Sequence, residues 1–377
     1  MKADHLMSPA FSTRQPIDPA LRLQITTHSH HTCKLCGGGC RSYDVMLTER
    51  EAKRLDYDMW RPLLNDVPDT LPLVRLDEAT HQYTLNKVDG RCVFLDTDNL
   101  CIVHKAAGAD AKPIACQFFP MQAVQAPDGI HVSLNVGCRR LIEMTDADPI
   151  PDLADARRLL DQVQAIATIG ETLPLTPTDT ISYAEFLEWQ VRLLDILAVP
   201  ETTWAHTWTR WQSAATLLLS IPTDAPTPNT DGTSLFRALH TLIGQTPPVR
   251  STLNSVYQRS VQWLDVLGTA PTIAMRTLPT VSPEFFAVVA RQFLAGQHAA
   301  LYRTARTGWT ALLAALIGGV YGAAERIAHI DQRPDHALNE AVSDAIDLFL
   351  SPAGQLALTE PNQAAFLRGL ARNVSDE

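Results

Sequence analysis

No cysteine follows Cys138 in this chain of 377 residues, although seven stand before that point. A second part without thiols cannot be stapled by disulfides, and any thiol chemistry is confined to the first part. Basic residues are also in short supply: 31 Lys and Arg face 41 Asp and Glu, for a net charge of −10, and no Lys/Arg cluster breaks the deficit. Phosphate contacts need a basic face, so a nucleic-acid partner is not expected. The first 21 residues lack the apolar core of a secretory signal, which predicts a cytoplasmic protein whose thiols stay reduced. Long apolar runs are missing too, with one exception. Residues 307–324, TGWTALLAALIGGVYGAA, carry no charge over 18 residues, the lower limit for a membrane span. Four glycines, two threonines and the flanking Arg303, Arg306, Glu325 and Arg326 predict a buried central helix there, and no membrane partner.

What is present falls into two parts of different character. The length suggests two domains, each able to bury a core. Residues 1–32 read as a loose, flexible arm with Pro9, Pro16 and Pro19, ending in His28, His30 and His31, a polar lead-in to the first cysteine. Residues 33–145 hold Cys33, Cys36, Cys40, Cys92, Cys101, Cys116 and Cys138. In a reducing compartment such a cluster reads as metal-binding or catalytic. Residues 146–377 read as an α-helical domain. The expected class is α+β: a small, irregular cysteine-rich metal domain with short hairpins, followed by an all-helical region.

The front part can be read in detail. CKLCGGGC places Cys33 and Cys36 two residues apart, so both sulfurs can face one ion, and the glycines let the chain wrap until Cys40 closes the turn. Thr48 and Glu51 form a capping box that starts a helix. Residues 61–80 are broken by proline and expected to be irregular, and HQYTLNKV alternates as a strand. RCVFLDTDNLCIVH predicts two short strands about a turn at Asp96–Asn99, bringing Cys92 near Cys101, with His104 in C-x2-H spacing from Cys101. Pro113 and Pro120 predict that Cys116 lies outside a helix interior. MQAVQAPDGIHVSLNVGC predicts a hairpin with its turn at Pro127–Gly129, which accounts for Asp128 as a turn residue and delivers Cys138 at the strand's end.

From about Asp152 onward apolar residues recur at helical spacing, in stretches near 154–167, 183–198, 203–220, 234–244, 255–268, 283–306, 335–350 and 360–373. Trp204, Trp208 and Trp211 share one helix face and are expected to pack in a core.

The combined pattern resembles the YkgJ-like cysteine cluster family, a zinc- or iron-chelating group that includes flagellin lysine N-methylases. The family opens with C-x2-C-x2-C-C and a Leu-Thr-x-x-Glu helix start, matched here by CKLCGGGC and LTERE. It continues with motifs that GRCVFL, CIVH, KPIACQFFP and VSLNVGC supply. Gly39 stands where the third cysteine usually sits, so one thiol is missing from the fullest version. The resemblance covers about residues 33–140 and implies that the seven cysteines bind metal. Soft thiolates suit zinc and iron alike. Only one C-x2-C pair is present where a zinc ribbon would have two, which favours an iron–sulfur cluster of the 4Fe–4S type, with zinc as the alternative.

The family's methylases imply a further alternative, an S-adenosylmethionine-dependent protein-lysine methyltransferase acting on a flagellin-like partner. The residues themselves add nothing to it. No G-x-G-x-x-G lies between a strand and a helix, the order C-x2-C-x3-C is not the radical methyl-donor C-x3-C-x2-C, and no catalytic Ser/His/Asp set or carboxylate pair stands out. The first reading is therefore a metal-binding cysteine cluster protein with no reaction assigned.

Overall fold

The computed structural model of the protein describes residues 13–222, 283–329 and 357–371, with gaps at 28, 34, 57, 65, 78–81, 139, 145–146, 164–165 and 303, and six positions within 337–345. The helices expected at 234–244 and 255–268, and most of that at 335–350, lie outside the described residues.

Of the segment read as a loose arm, residues 1–12 lie outside the described residues, and the part from Thr13 onward is tied into the fold. It contributes β1 (Thr13–Gln15) and β2 (Leu23–Ile25), both members of a five-stranded sheet. The knuckle follows as α1 (Gly38–Ser42), then β3 (Met46–Leu47) and α2 (Glu49–Leu55). The predicted capping box is present: Glu51 N–H donates to Thr48 Oγ1 at 3.2 Å, and Thr48 N–H donates to Glu51 Oε2 at 2.8 Å. Residues 61–80 are more regular than their prolines suggest. They close a 3-10 turn over Asp58–Leu63 and then form β4 (Val74–Asp77), because Leu73 and Val74 are buried and β4 can pair with β5 (Gln82–Leu85). After β6 (Lys87–Val88) and β7 (Arg91–Cys92) come α3 (Ile102–Ala107) and α4 (Ile114–Phe118). Up to α3 these elements share a small core of Leu47, Leu55, Trp60, Leu85, Phe94 and Val103.

The predicted hairpin is β8 (Met121–Ala126) and β9 (Gly129–Leu134), paired antiparallel from Met121↔Leu134 to Ala126↔Gly129. It sits in the middle of the sheet, whose order is β1-β10-β8-β9-β2. Strand β10 (Ile166–Thr168) arrives after α5 (Leu153–Leu160) and pairs parallel to β8, so the sheet crosses the boundary expected at 145. Its register splits the hairpin into two faces. Ile130 and Val132 pack with Phe118, Leu159, Leu160 and Ile166. Val124, His131 and Ser133 face the helices, with Val124 directly across from His131 and Gln122 across from Ser133.

The chain is not helical throughout after 152: β10, β11 (Thr172–Pro174) and β12 (Thr180–Ser182) intervene. Beyond residue 180 the described chain is mostly helix, namely α6 (Tyr183–Leu197), α7 (Trp204–Leu219), α8 (Glu284–Ala295), α9 (Ala305–His329) and α10 (Glu360–Ala371). Trp204, Trp208 and Trp211 are buried, and Trp204 and Trp211 both meet Phe286 edge-on, with centroids 5.3 and 5.0 Å away. They are packing residues. The uncharged run 307–324 lies in α9, buried wherever its side chains are described. Among the described residues no helix is long and apolar enough to cross a membrane.

The two parts are joined by a buried polar seam. Gln292 Oε1 accepts from Leu134 N–H at 2.8 Å and lies 3.1 Å from Ser29 Oγ. His298 Nε2 lies 2.7 Å from Gln122 Nε2 and 2.8 Å from Ser133 Oγ. An amide nitrogen can only donate, so this ring nitrogen accepts and the imidazole is neutral. Burial holds the His298 pKa down at about 3, in agreement with that state.

Candidate metal centre

Every cysteine is free, and each reaches its place by a different local device. Gly37 adopts a left-handed φ of 64° at the start of α1, which turns the chain back so that Gly38 N–H reaches Cys36 Sγ at 3.3 Å. Only glycine accepts this conformation freely, and a Cβ there would run into the Arg41 guanidinium. Arg41 in turn donates to Asn99 Oδ1 at 2.6 Å, linking the knuckle to the turn before Cys101. That turn is held by Asp96, whose Oδ1 accepts from Asp98 and Leu100 N–H and whose Oδ2 accepts from Lys105 Nζ at 2.7 Å. The expected second strand is reduced to a single Leu95↔Cys101 bridge, because Cys101 begins α3. His104 is exposed on that helix.

Cys116 lies inside a helix, contrary to the expectation drawn from the flanking prolines. Pro113 serves as the cap of the five-residue α4, a place where its missing N–H costs nothing. The first N–H of that helix, from Ile114, donates to Glu51 Oε1 at 2.7 Å, so the capping residue of α2 also caps α4. Cys138 is set just beyond β9 by Asn135, whose carbonyl accepts its N–H at 2.9 Å.

Electrostatics divide the thiols. Cys116 is raised well above an ordinary thiol by burial first, then by the neighbouring charges of Cys92, Cys40 and Cys101. Burial raises Cys92 to about 12, with Cys40 and Cys101 adding to it. Cys40 is pushed to about 11 by burial, then Cys101, with smaller contributions from Cys33 and Cys36. Cys138 is raised to about 12 by burial, and the thiols it feels are Cys36 and Cys33. One group thus comprises Cys40, Cys92, Cys101 and Cys116, and a second comprises Cys33, Cys36 and Cys138. Cys40 is the contact between them.

Several features favour the ionised thiolates that metals require. Lys112 lowers the pKa of both Cys40 and Cys116. Cys92 and Cys138 each accept a hydrogen bond from the amide two residues on, as Cys36 does from Gly38. Amide donors spread thiolate charge, and a cation removes the mutual repulsion that raises these groups. The donor set therefore fits a soft metal in identity, number and support. Among the described residues no three ligand side chains already converge on a single point. The sequence marks Glu51 as the capping-box partner of Thr48 but not its second role at α4, and the Lys-Pro preceding Cys116 is the one signal for Lys112.

A cavity of about 520 Å³ borders the first group at Cys92, walled by Leu63, Val67, Val88 and Ile102 and rimmed by Arg91 and Lys105. Both cations are paired, with Asp66 at 3.2 Å and Asp96 at 2.7 Å. Asp128 keeps its turn position and also accepts from Tyr183 OH at 2.7 Å, with His131 Nε2 equally close, tying α6 to the hairpin tip.

Free thiols in this arrangement define a thiolate metal-chelating domain. In agreement, residues 32–138 match the model of a family named CxxCxxCC, described as "Putative zinc- or iron-chelating domain". No curated protein matches the chain, and no solved structure does. The description names chelation and no reaction, so methylation gains no support from it.

Proposed function

We propose that Cys40, Cys92, Cys101 and Cys116 hold one metal centre, an iron–sulfur cluster of the 4Fe–4S type, beside a lesser group formed by Cys33, Cys36 and Cys138. The observation that carries this reading is that Cys92, Cys40 and Cys101 all stand close enough to Cys116 to act on its charge, and that Cys40 and Cys101 act likewise on Cys92. Four thiolates are what one such cluster takes, and equally what one structural zinc takes. The preference for the cluster rests on how the four are supplied. They come from α1, β7, the start of α3 and α4, with no C-x2-C pair among them, whereas zinc ribbons use such pairs. When bound, the cluster supplies electron transfer or a structural cross-link; Lys112 and the amide donors supply the countercharge. Free thiols throughout suit a cytoplasmic location.

Anaerobic purification with metal and sulfide analysis tests the proposal. Visible sulfur-to-iron absorption with iron and acid-labile sulfide near four each per chain is expected. A colourless protein with about one zinc per chain would overturn the cluster while leaving the four-thiol grouping in place.

A further inference from the structure

The cavity of about 520 Å³ beside Cys92 has no part in the thiolate grouping, and its size is in the range that holds a drug-sized molecule. The 3-10 turn that ends at Leu63, the β6–β7 hairpin and α3 enclose it. Leu64, Val93 and Leu95 line it from the small core and are buried, while Leu63 stays 44% exposed at its edge. Apolar side chains thus surround a space that the chain itself does not fill. Water there finds few partners, so an apolar body displaces it favourably.

The rim decides the charge of an occupant. Asp66 pairs with Arg91 at 3.2 Å and Asp96 with Lys105 at 2.7 Å, so the lining charges cancel. An anion gains no net field from such a mouth, and Asp98, which Lys105 feels from outside the rim, disfavours it further. A cation finds no carboxylate that is not already paired. Hydrogen-bonding capacity is less even. Asp96 already accepts from Lys105 and from the Asp98 and Leu100 amides. Arg91 donates only to Asp66 and, at 3.5 Å, to the Leu95 carbonyl, which leaves its Nε–H and further N–H groups of a five-donor side chain. Lys105 spends one of its three N–H bonds on Asp96. The remaining carboxylate oxygen, Asp66 Oδ1, belongs to a side chain 51% exposed to water. Beyond its own pairs the rim therefore offers mainly donors.

We propose that this cavity binds a small, uncharged, mainly apolar molecule whose hydrogen-bond-accepting group, a ketone or amide oxygen, meets Arg91 and Lys105. Apolar walls take the body of the ligand, and the spare donors fix its polar end without breaking either ion pair. Cys92 is part of the same wall, so the occupant lies against the thiol lobe. Binding needs the folded lobe and does not depend on which metal the thiols hold.

Equilibrium dialysis of the full, metal-replete protein against prodan tests this. Prodan is an uncharged naphthalene ketone whose emission moves to the blue in apolar surroundings. Saturable binding of one molecule per chain, with blue-shifted emission, is expected. The parent ring 2-dimethylaminonaphthalene lacks the ketone and should bind about tenfold more weakly, the loss of one hydrogen bond to a charged donor. Anilinonaphthalene sulfonate, of similar bulk but negatively charged, should also bind about tenfold more weakly. Ala106→Trp and Thr97→Trp each place a ring in the cavity from an exposed lining position. Either should weaken prodan binding by about tenfold or more. Ala107→Trp, exposed on α3 outside the lining, adds the same apolar surface and should leave affinity within about twofold of the parent. No saturable binding, or parental affinity in both blocking variants, would overturn the site. Equal affinity for the ketone-free ring or the sulfonate would overturn the chemistry assigned to its occupant.

Discussion

Glu51 and Ile114 are 63 residues apart in sequence, yet Glu51 Oε1 accepts the Ile114 N–H at 2.7 Å while Oε2 of the same carboxylate closes the capping box with Thr48. One side chain thus starts two helices, and the second carries Cys116. Replacing Glu51 with alanine removes both caps and should cost about 1–3 kcal/mol in urea unfolding. Metal release to a chelator should quicken as well. Glu51→Gln can keep one of the two contacts and should fall between the parent and alanine in both measurements.

The division of the thiols makes opposite forecasts for two cysteines that are both strongly shifted. Cys116→Ser exchanges a soft thiolate for a hydroxyl that stays protonated, so the protein should lose most of its metal. Cys138→Ser should retain it, because the thiols that act on Cys138 are Cys36 and Cys33. Metal content by mass spectrometry of the anaerobically purified variants checks this, and equal losses would dissolve the grouping.

Gly39 is packed beneath Phe119, where a Cβ would stand 3.0 Å from the ring. Placing a cysteine there by Gly39→Cys, as the CxxCxxCC pattern has it, should therefore destabilise the lobe, by about 1–3 kcal/mol as for other overpacked sites. Combining it with Phe119→Leu should recover part of that loss. Denaturant midpoints of the single and double variants measure the coupling.

The buried His298 should leave an acid signature. Its folded pKa of about 3 lies below the ordinary 6.5, so the unfolded state takes up a proton that the folded state refuses. No penalty applies above pH 6.5; stability drains away as pH falls from there toward 3. His298→Gln, which cannot titrate, should lower stability at neutral pH by about 1–2 kcal/mol through poorer packing and hydrogen bonding. Its stability should then fall less steeply than the parent's over that window. Comparing the two slopes cancels the acid sensitivity of the thiols, which both proteins share.

Removing the metal should not unfold the front part evenly. Strand β9 is buried along its whole length and pinned to α8 and the His298 turn, whereas β7 and α3 depend on their own small core and on the thiols. Hydrogen exchange after chelation should show lost protection near 91–107 and persistent protection at 129–134. Uniform loss across both segments would contradict the seam's role.

Local signals in the sequence were sufficient for much of this arrangement. The Thr48–Glu51 box, the Pro127–Gly129 turn, the Asp96–Asn99 turn and the mixed α+β class all depend on residues close together in the chain. The misses are long-range. Nothing near Thr13 or Leu23 indicates a strand, because those residues become strands only by pairing with Ile166–Thr168 and Ile130–Val132. Strand β10 has no marker of its own because its apolar residues continue the helical spacing of α5. The bonds from Gln292 to Leu134 and from Glu51 to Ile114 join polar residues whose partners no spacing rule reveals.

The central place of the hairpin bears on the order of events at the ribosome. All seven thiols emerge before β10 exists to extend the sheet, and well before Gln292 and His298 arrive to cover Gln122 and Ser133. At translation speeds of about 5–20 residues per second, that interval lasts from several seconds to half a minute. The nascent lobe can thus meet its metal while one face of its hairpin is still bare. A nascent chain from which Cys138 but not yet Ile166 has left the ribosome would present the thiols complete and the sheet unfinished, and the growing chain itself would set the time available for filling the site.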